Sequence, residues 1–126
     1  MEAVIIEPSN KTPNVKLDAS SNTFVIEGRS IPENSTEFYK PVFDWLDAYN
    51  DSPNDDTVFD FKLEYFNTSS SKCILDIFRK LEKIHEGGNK IVVKWHYEED
   101  DEDMQEAGED YQRIVKVPIE LVMMEE

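Results

Sequence analysis

Between Thr57 and Tyr97 the spacing of apolar residues passes from every second position to a helical stripe and back again. In "TVFDFKLEYF", Phe59, Phe61, Leu63 and Tyr65 alternate with Asp60, Lys62 and Glu64. Alternation of this kind marks a strand with one buried and one wet face. In "SKCILDIFRKLEKIHEGG", Ile74, Ile77, Phe78, Leu81 and Ile84 share one helical stripe, and Gly87-Gly88 ends it. "KIVVKWHY" then resumes alternation, with Ile91, Val93, Trp95 and Tyr97 on one side. A strand, a helix and a strand in this order predict a right-handed crossover between parallel strands.

The rest of the chain extends this unit. "NTFVIEG" places Phe24 and Ile26 inward, and "VKVPIELVM" does so for Val115, Val117, Ile119 and Leu121. Pro118 cannot donate to a ladder, so that last strand is predicted at an edge or with a free side at that point. Before the unit, Phe38, Val42, Trp45, Leu46 and Tyr49 lie at helical spacing behind Asn34 and Glu37, a capping-box pair. Pro41 interrupts this pattern and predicts a kink or a second helix start near Lys40. A third helix is expected in "EEDDEDMQEAGEDYQRI", with its acids at the end the dipole favours and too few apolar residues for firm packing. The prediction is therefore an α/β fold: one domain over residues 1–126, a mixed sheet, and about three helices mainly on one face. Phe59, Phe61, Leu63, Trp95, Trp45 and Phe78 are its expected core.

Charge and chemistry exclude several functions. With 28 acidic against 13 basic side chains, the net charge is −15, which repels phosphate backbones and anionic lipid. It suits docking onto a basic protein patch, or serves solubility alone. The single Cys73 falls in the apolar stripe and points to a reducing compartment. With no signal-peptide pattern and no apolar run long enough for a membrane span, a cytoplasmic location is expected.

Catalytic constellations are weak. No glycine-rich loop precedes a helix. A serine nucleophile needs a positioned histidine, and the two present, His85 and His96, read as surface residues. Together with Cys73 they lack metal-ligand spacing. The acids Glu98 to Asp103 could serve a metal-dependent hydrolase, but they lack the glycine and terminal glutamate of an EF-hand loop and read better as a helix start. No metal and no cofactor are expected.

There remains "YFNTSSSK", Tyr65 to Lys72, where a strand meets four consecutive hydroxyl residues before a helix. Asn, Thr and Ser are preferred helix caps because their oxygens satisfy free amides. The same turn also exposes a hydroxyl where a phosphate would face those amides and the positive dipole end. Both readings stand on the residues alone.

"GRSIPENSTEFYKPVFDWLDAY", "YFNTSSSK" and "WHYEEDDEDMQEAGEDY" occur in this order and span most of the chain. Together they resemble the SiaC family of bacterial regulatory phosphoproteins. That resemblance implies an anti-anti-sigma (STAS-like) fold and a non-enzymatic partner-switching role. It also implies a threonine in the strand-to-helix turn, here Thr68, phosphorylated by a dedicated kinase and restored by a PP2C-type phosphatase. The unphosphorylated form would bind and activate a GGDEF diguanylate cyclase, linking the switch to cyclic-di-GMP and biofilm control. An anti-sigma or kinase partner is the alternative within the same fold. Asn67, Ser69, Ser70 and Ser71 in the same turn, and Arg29 in the first motif, are the candidate partner contacts.

Overall fold

The alternating segments assemble into one six-stranded sheet with three helices, described over residues 2–124 in the computed structural model. In chain order the elements are β1 (Val4–Ile6), β2 (Asn14–Asp18), β3 (Thr23–Ser30), α1 (Ser35–Tyr49), β4 (Asp56–Phe66), α2 (Thr68–Glu86), β5 (Lys90–Glu98), α3 (Glu102–Ile114) and β6 (Ile119–Met124). The strands lie side by side in that same order. β1, β2 and β3 pair antiparallel, whereas β3 through β6 pair parallel. Each parallel neighbour is reached through one helix, so the strand–helix–strand unit predicted from Phe59 to Tyr97 occurs three times in succession.

All three helices cover the same sheet face. Phe24, Phe61 and Trp95 on that face meet Trp45 of α1, Phe78 of α2 and Tyr111 of α3, with ring centroids 5.8, 5.1 and 5.5 Å apart. The six residues expected in the core are all buried. On the opposite face Val58 is exposed, and Asp60, Lys62, Val92, Lys94 and His96 are half-buried with no helix over them. The one-sided alternation thus becomes a one-sided sheet. Aromatic edge-to-face and offset packing links the layers, and each such pair adds about 0.5–1.5 kcal/mol beyond its buried area.

Several expectations change. The sequence pattern does not mark β1 and β2; β2 buries Val15 and Leu17 in the same core cluster as the helix residues, which widens the core. α1 runs unbroken through Pro41, so there is no second start near Lys40. Pro41 gives no N–H to the carbonyl of Glu37, but buried Tyr39, Val42, Trp45, Leu46 and Tyr49 hold the helix across that gap. The last strand begins at Ile119 rather than Val115, and it is an edge strand, as Pro118 indicated.

Tyr65 is the instructive exception. Its place in the alternation puts it inward, yet it is 58% exposed. β3 and β4 pair Gly28 with Leu63 and then Arg29 with Tyr65, so Glu64 is an extra, bulged residue. A one-residue slip turns every later side chain over. Phe66 consequently points inward and packs edge-on against Trp95, 5.9 Å between centroids. Gly28, opposite the bulge, has φ +114°, a conformation that L side chains rarely adopt.

Candidate functional site

α1, α2 and α3 each follow the C-terminal end of a parallel strand, so their N-termini gather along one edge of the sheet. The hydroxyl run stands at the middle of that edge. β4 ends at Phe66, and the Asn67 amide donates to the Ser30 carbonyl at 3.0 Å. Asn67 then leaves the strand in an extended conformation, and its Oδ1 accepts from the Ser70 amide at 2.8 Å. Asn67 is therefore the cap, and Thr68 is the first residue of the helix.

The three serines are occupied within the protein. Ser70 is fully buried. Its Oγ donates to the Ser30 carbonyl at 2.9 Å and accepts from Ser30 Oγ at 2.8 Å. Ser30 Oγ also lies 2.6 Å from the Tyr39 hydroxyl. Ser69 Oγ lies 2.6 Å from Ser35 Oγ and donates to Asn67 Oδ1 at 3.1 Å. Ser71 Oγ donates to the Thr68 carbonyl at 2.8 Å. These bonds tie β3, α1 and α2 together where the chain would otherwise bury unpaired polar groups. Burial pushes the Tyr39 hydroxyl up to about 12, against a smaller opposing effect of its bond to Ser30. It stays protonated and neutral inside the network.

Thr68 differs from all of them. Its side chain is exposed, and Oγ1 makes no hydrogen bond with the described residues. The amides of Thr68 and Ser69 are likewise unpaired among those residues, as expected in a first helical turn. Lys72, one turn further, is exposed and forms no ion pair among them. A free hydroxyl thus stands beside free N–H donors and an uncommitted cation.

The structure separates the other sequence candidates. Ser70 cannot meet a partner in this conformation; its expected contact role is corrected to an internal one. Asn67 and Ser71 are half-buried and Ser69 is exposed at the turn. Arg29 is brought to the same edge, where its Nε lies 3.4 Å from Glu64 Oε2, both side chains being largely exposed. The acids Glu98 to Asp103 also reach this edge. Asp101 caps α3 by accepting from the Met104 amide at 3.0 Å, and Glu102 and Asp103 fill its first turn. Among the described residues no group of three His, Cys, Asp or Glu is placed to hold a metal ion. His96 stands on the open sheet face, 2.8 Å from Asp60, and His85 lies near the end of α2, 3.2 Å from the Asn89 carbonyl. Cys73 is buried in the α2 stripe, where burial raises its thiol pKa. Ser30, Ser35 and Tyr39 escaped sequence reasoning. Ser30 and Ser35, at a strand end and a helix start, have no period to betray them, and Tyr39 lies on the buried stripe of α1, where its hydroxyl meets Ser30 of another element.

No helix among the described residues is long and apolar enough to cross a membrane. The family model for SiaC family regulatory phosphoproteins matches residues 6–124. An uncharacterized protein of Pseudomonas aeruginosa strain UCBPP-PA14 is 31% identical over 118 residues, 94% of each chain. The fold is similar to that of apo-SiaC from Pseudomonas aeruginosa, with TM-score 0.87 and 30% identity over 97% of this chain and 99% of that one. It is also similar, with TM-score 0.90 and 30% identity over 96% and 99%, to a chain in the crystal structure of the Pseudomonas aeruginosa diguanylate cyclase SiaD in complex with its activator SiaC. The chain belongs to the SiaC family of regulatory phosphoproteins.

Proposed function

We propose that this protein is a non-enzymatic partner switch for cyclic-di-GMP synthesis, set by reversible phosphorylation of Thr68. The observation that carries the reading is the contrast within the hydroxyl run. Ser69, Ser70 and Ser71 spend their hydroxyls inside the protein, whereas Thr68 holds a free, exposed one at the start of α2. A kinase reaching this turn meets one hydroxyl that can be modified without breaking an internal bond. A PP2C-type phosphatase can reach the product for the same reason. The unmodified edge binds and activates a GGDEF diguanylate cyclase, as SiaC does for SiaD in the similar complex. Cytoplasmic placement follows from such partners.

The test pairs modification with binding. Phosphorylated protein, made with phosphothreonine installed at position 68, and the unmodified protein are compared for binding and activation of a purified GGDEF cyclase. The expected result is activation by the unmodified form alone. Equal activation by both would remove Thr68 as the switch. Binding to an anti-sigma factor but to no cyclase would move the protein to the alternative partner class.

A further inference from the structure

The bulge that turns Tyr65 outward also shapes what lies beside it. The C-terminal ends of β3 to β6 enclose a cleft of about 460 Å³. Leu63, Tyr65 and Met124 contribute apolar surface to it, and Glu64, Glu98 and Asp101 contribute carboxylates. Tyr65 is an exposed aromatic in a polar setting, three residues before Thr68 on the strand that leads into α2. Aromatics so placed are the residue type that most often anchors a protein interface. Only the two cations Arg29 and Lys62 line the cleft, and Arg29 is engaged with Glu64. The acids Glu99, Asp100, Glu102 and Asp103 continue the negative rim along the loop into α3.

We propose that this cleft is the docking site for a basic segment of the effector. One aliphatic or aromatic side chain of that segment seats against Tyr65 and Met124, and flanking lysine or arginine faces Glu64, Glu98 and Asp101. Charge decides the occupant. A second copy of this chain carries the same −15 and would bring acids to acids, whereas a basic segment gains both steering and pairing. Arg29 exchanges its long, exposed contact with Glu64 for the partner's groups at little expense. The inference deepens the proposed function: it rests on this edge being the docking edge and states what docks there. Tyr65, where the partner's side chain seats, precedes Thr68 by three residues on the strand that leads into α2.

Two probes test it. The first is a short amphipathic helical peptide with a leucine stripe and a lysine face, titrated into the ¹⁵N-labelled protein. Shifts should centre on the amides of Arg29, Lys62 to Tyr65 and Glu98 to Asp101, and a charge-reversed peptide should produce none. Shifts centred on the groove between α1 and α2, absence of binding, or equal binding to Tyr65→Ala would overturn the proposal. The second probe is purified SiaD from Pseudomonas aeruginosa. Tyr65→Ala should weaken its binding about tenfold or more, the scale of an interface anchor. Glu98→Gln should weaken it less and flatten its salt dependence. Ile114→Ala, an exposed apolar residue at the C-terminal end of α3, should leave it unchanged. If Tyr65→Ala binds SiaD normally while phosphorylation at Thr68 abolishes binding, the cleft is wrong and the switch stands. If the wild-type chain does not bind SiaD, the proposed function loses its support, and the peptide result alone judges the cleft.

Discussion

Gly108 of α3 lies directly on the indole of Trp95. A Cβ at position 108 would come within 2.6 Å of Trp95 Cδ1 and of Leu121 Cδ2. The ring cannot swing aside, because Trp95 Nε1 donates to the Met104 carbonyl at 2.9 Å and its faces meet Phe61, Phe78 and Tyr111. This close approach, with buried Met104 and Tyr111, seats a helix that carries few other apolar residues.

Gly108→Ala should therefore destabilise the fold, although alanine is the better helix former by about 1 kcal/mol. Overpacking of this kind costs about 1–3 kcal/mol, so the expected net loss is of the order of 1 kcal/mol. Urea unfolding measures it. A stabilised Gly108→Ala variant would show that α3 sits further from the sheet.

The hydroxyl run supplies a graded series. Ser70→Ala removes a fully buried group that donates to the Ser30 carbonyl, and should cost about 1–3 kcal/mol. Asn67→Ala removes the cap of α2 and should cost about 1 kcal/mol. Thr68→Ala breaks no hydrogen bond and should fall within about 0.5 kcal/mol of wild type. Chemical denaturation of the three variants checks the order. A Thr68→Ala variant as damaged as Ser70→Ala would contradict the exposed, unbonded threonine.

Alkaline pH provides an independent test of the buried network. Burial raises the Tyr39 hydroxyl to about 12 and also raises that of Tyr111, whose hydroxyl donates to the Ser71 carbonyl at 2.9 Å. An unfolded tyrosine ionises near 10, so above that pH the unfolded chain releases protons the folded chain retains. Stability is then full below about pH 10 and declines as pH rises towards 12. Ultraviolet titration should show these two tyrosinates forming only as near-UV circular dichroism is lost. Their ionisation near pH 10, in a still folded protein, would contradict the burial.

How much of this was legible follows from the length of each pattern. The helical stripe from Ile74 to Ile84 and the alternation around Phe59 and Trp95 repeat often enough to fix element type and core face. Val15 and Leu17 do alternate with Lys16, but a five-residue strand between turns gives too few repeats to stand out. The alternation alone puts Tyr65 inward, because a bulge is decided by the pairing with the partner strand, here at Gly28, and not by the residues that carry it. At the candidate site the sequence showed that a hydroxyl cluster opens a helix. Which hydroxyl is free depends on Ser30, Ser35 and Tyr39, which come from elements remote in sequence. Those contacts separate Thr68 from its neighbours on physical grounds, where the run itself leaves four hydroxyls equivalent.

The phosphorylated state should leave the fold intact and disable docking. A phosphate at Thr68 brings about −1.5 to −2 charges to the first turn of α2. It meets the unpaired amides of Thr68 and Ser69 and the positive end of the helix dipole, each favourable to an anion. Lys72, at the next turn of the same helix face, can pair with it. Phosphorylated and unmodified proteins should therefore unfold at closely similar temperatures. Docking is different: in the proposed function the partner covers this turn, and burying an incompletely paired phosphate costs several kcal/mol. A loss of about 3 kcal/mol lowers affinity more than a hundredfold. Long-range attraction works the other way: a basic segment is drawn more strongly to a more acidic edge. The association rate should accordingly hold or rise while the dissociation rate rises steeply, and surface plasmon resonance separates the two. A phosphorylated protein that binds weakly only because association is slow would show that the phosphate acts by repulsion, contrary to a basic partner.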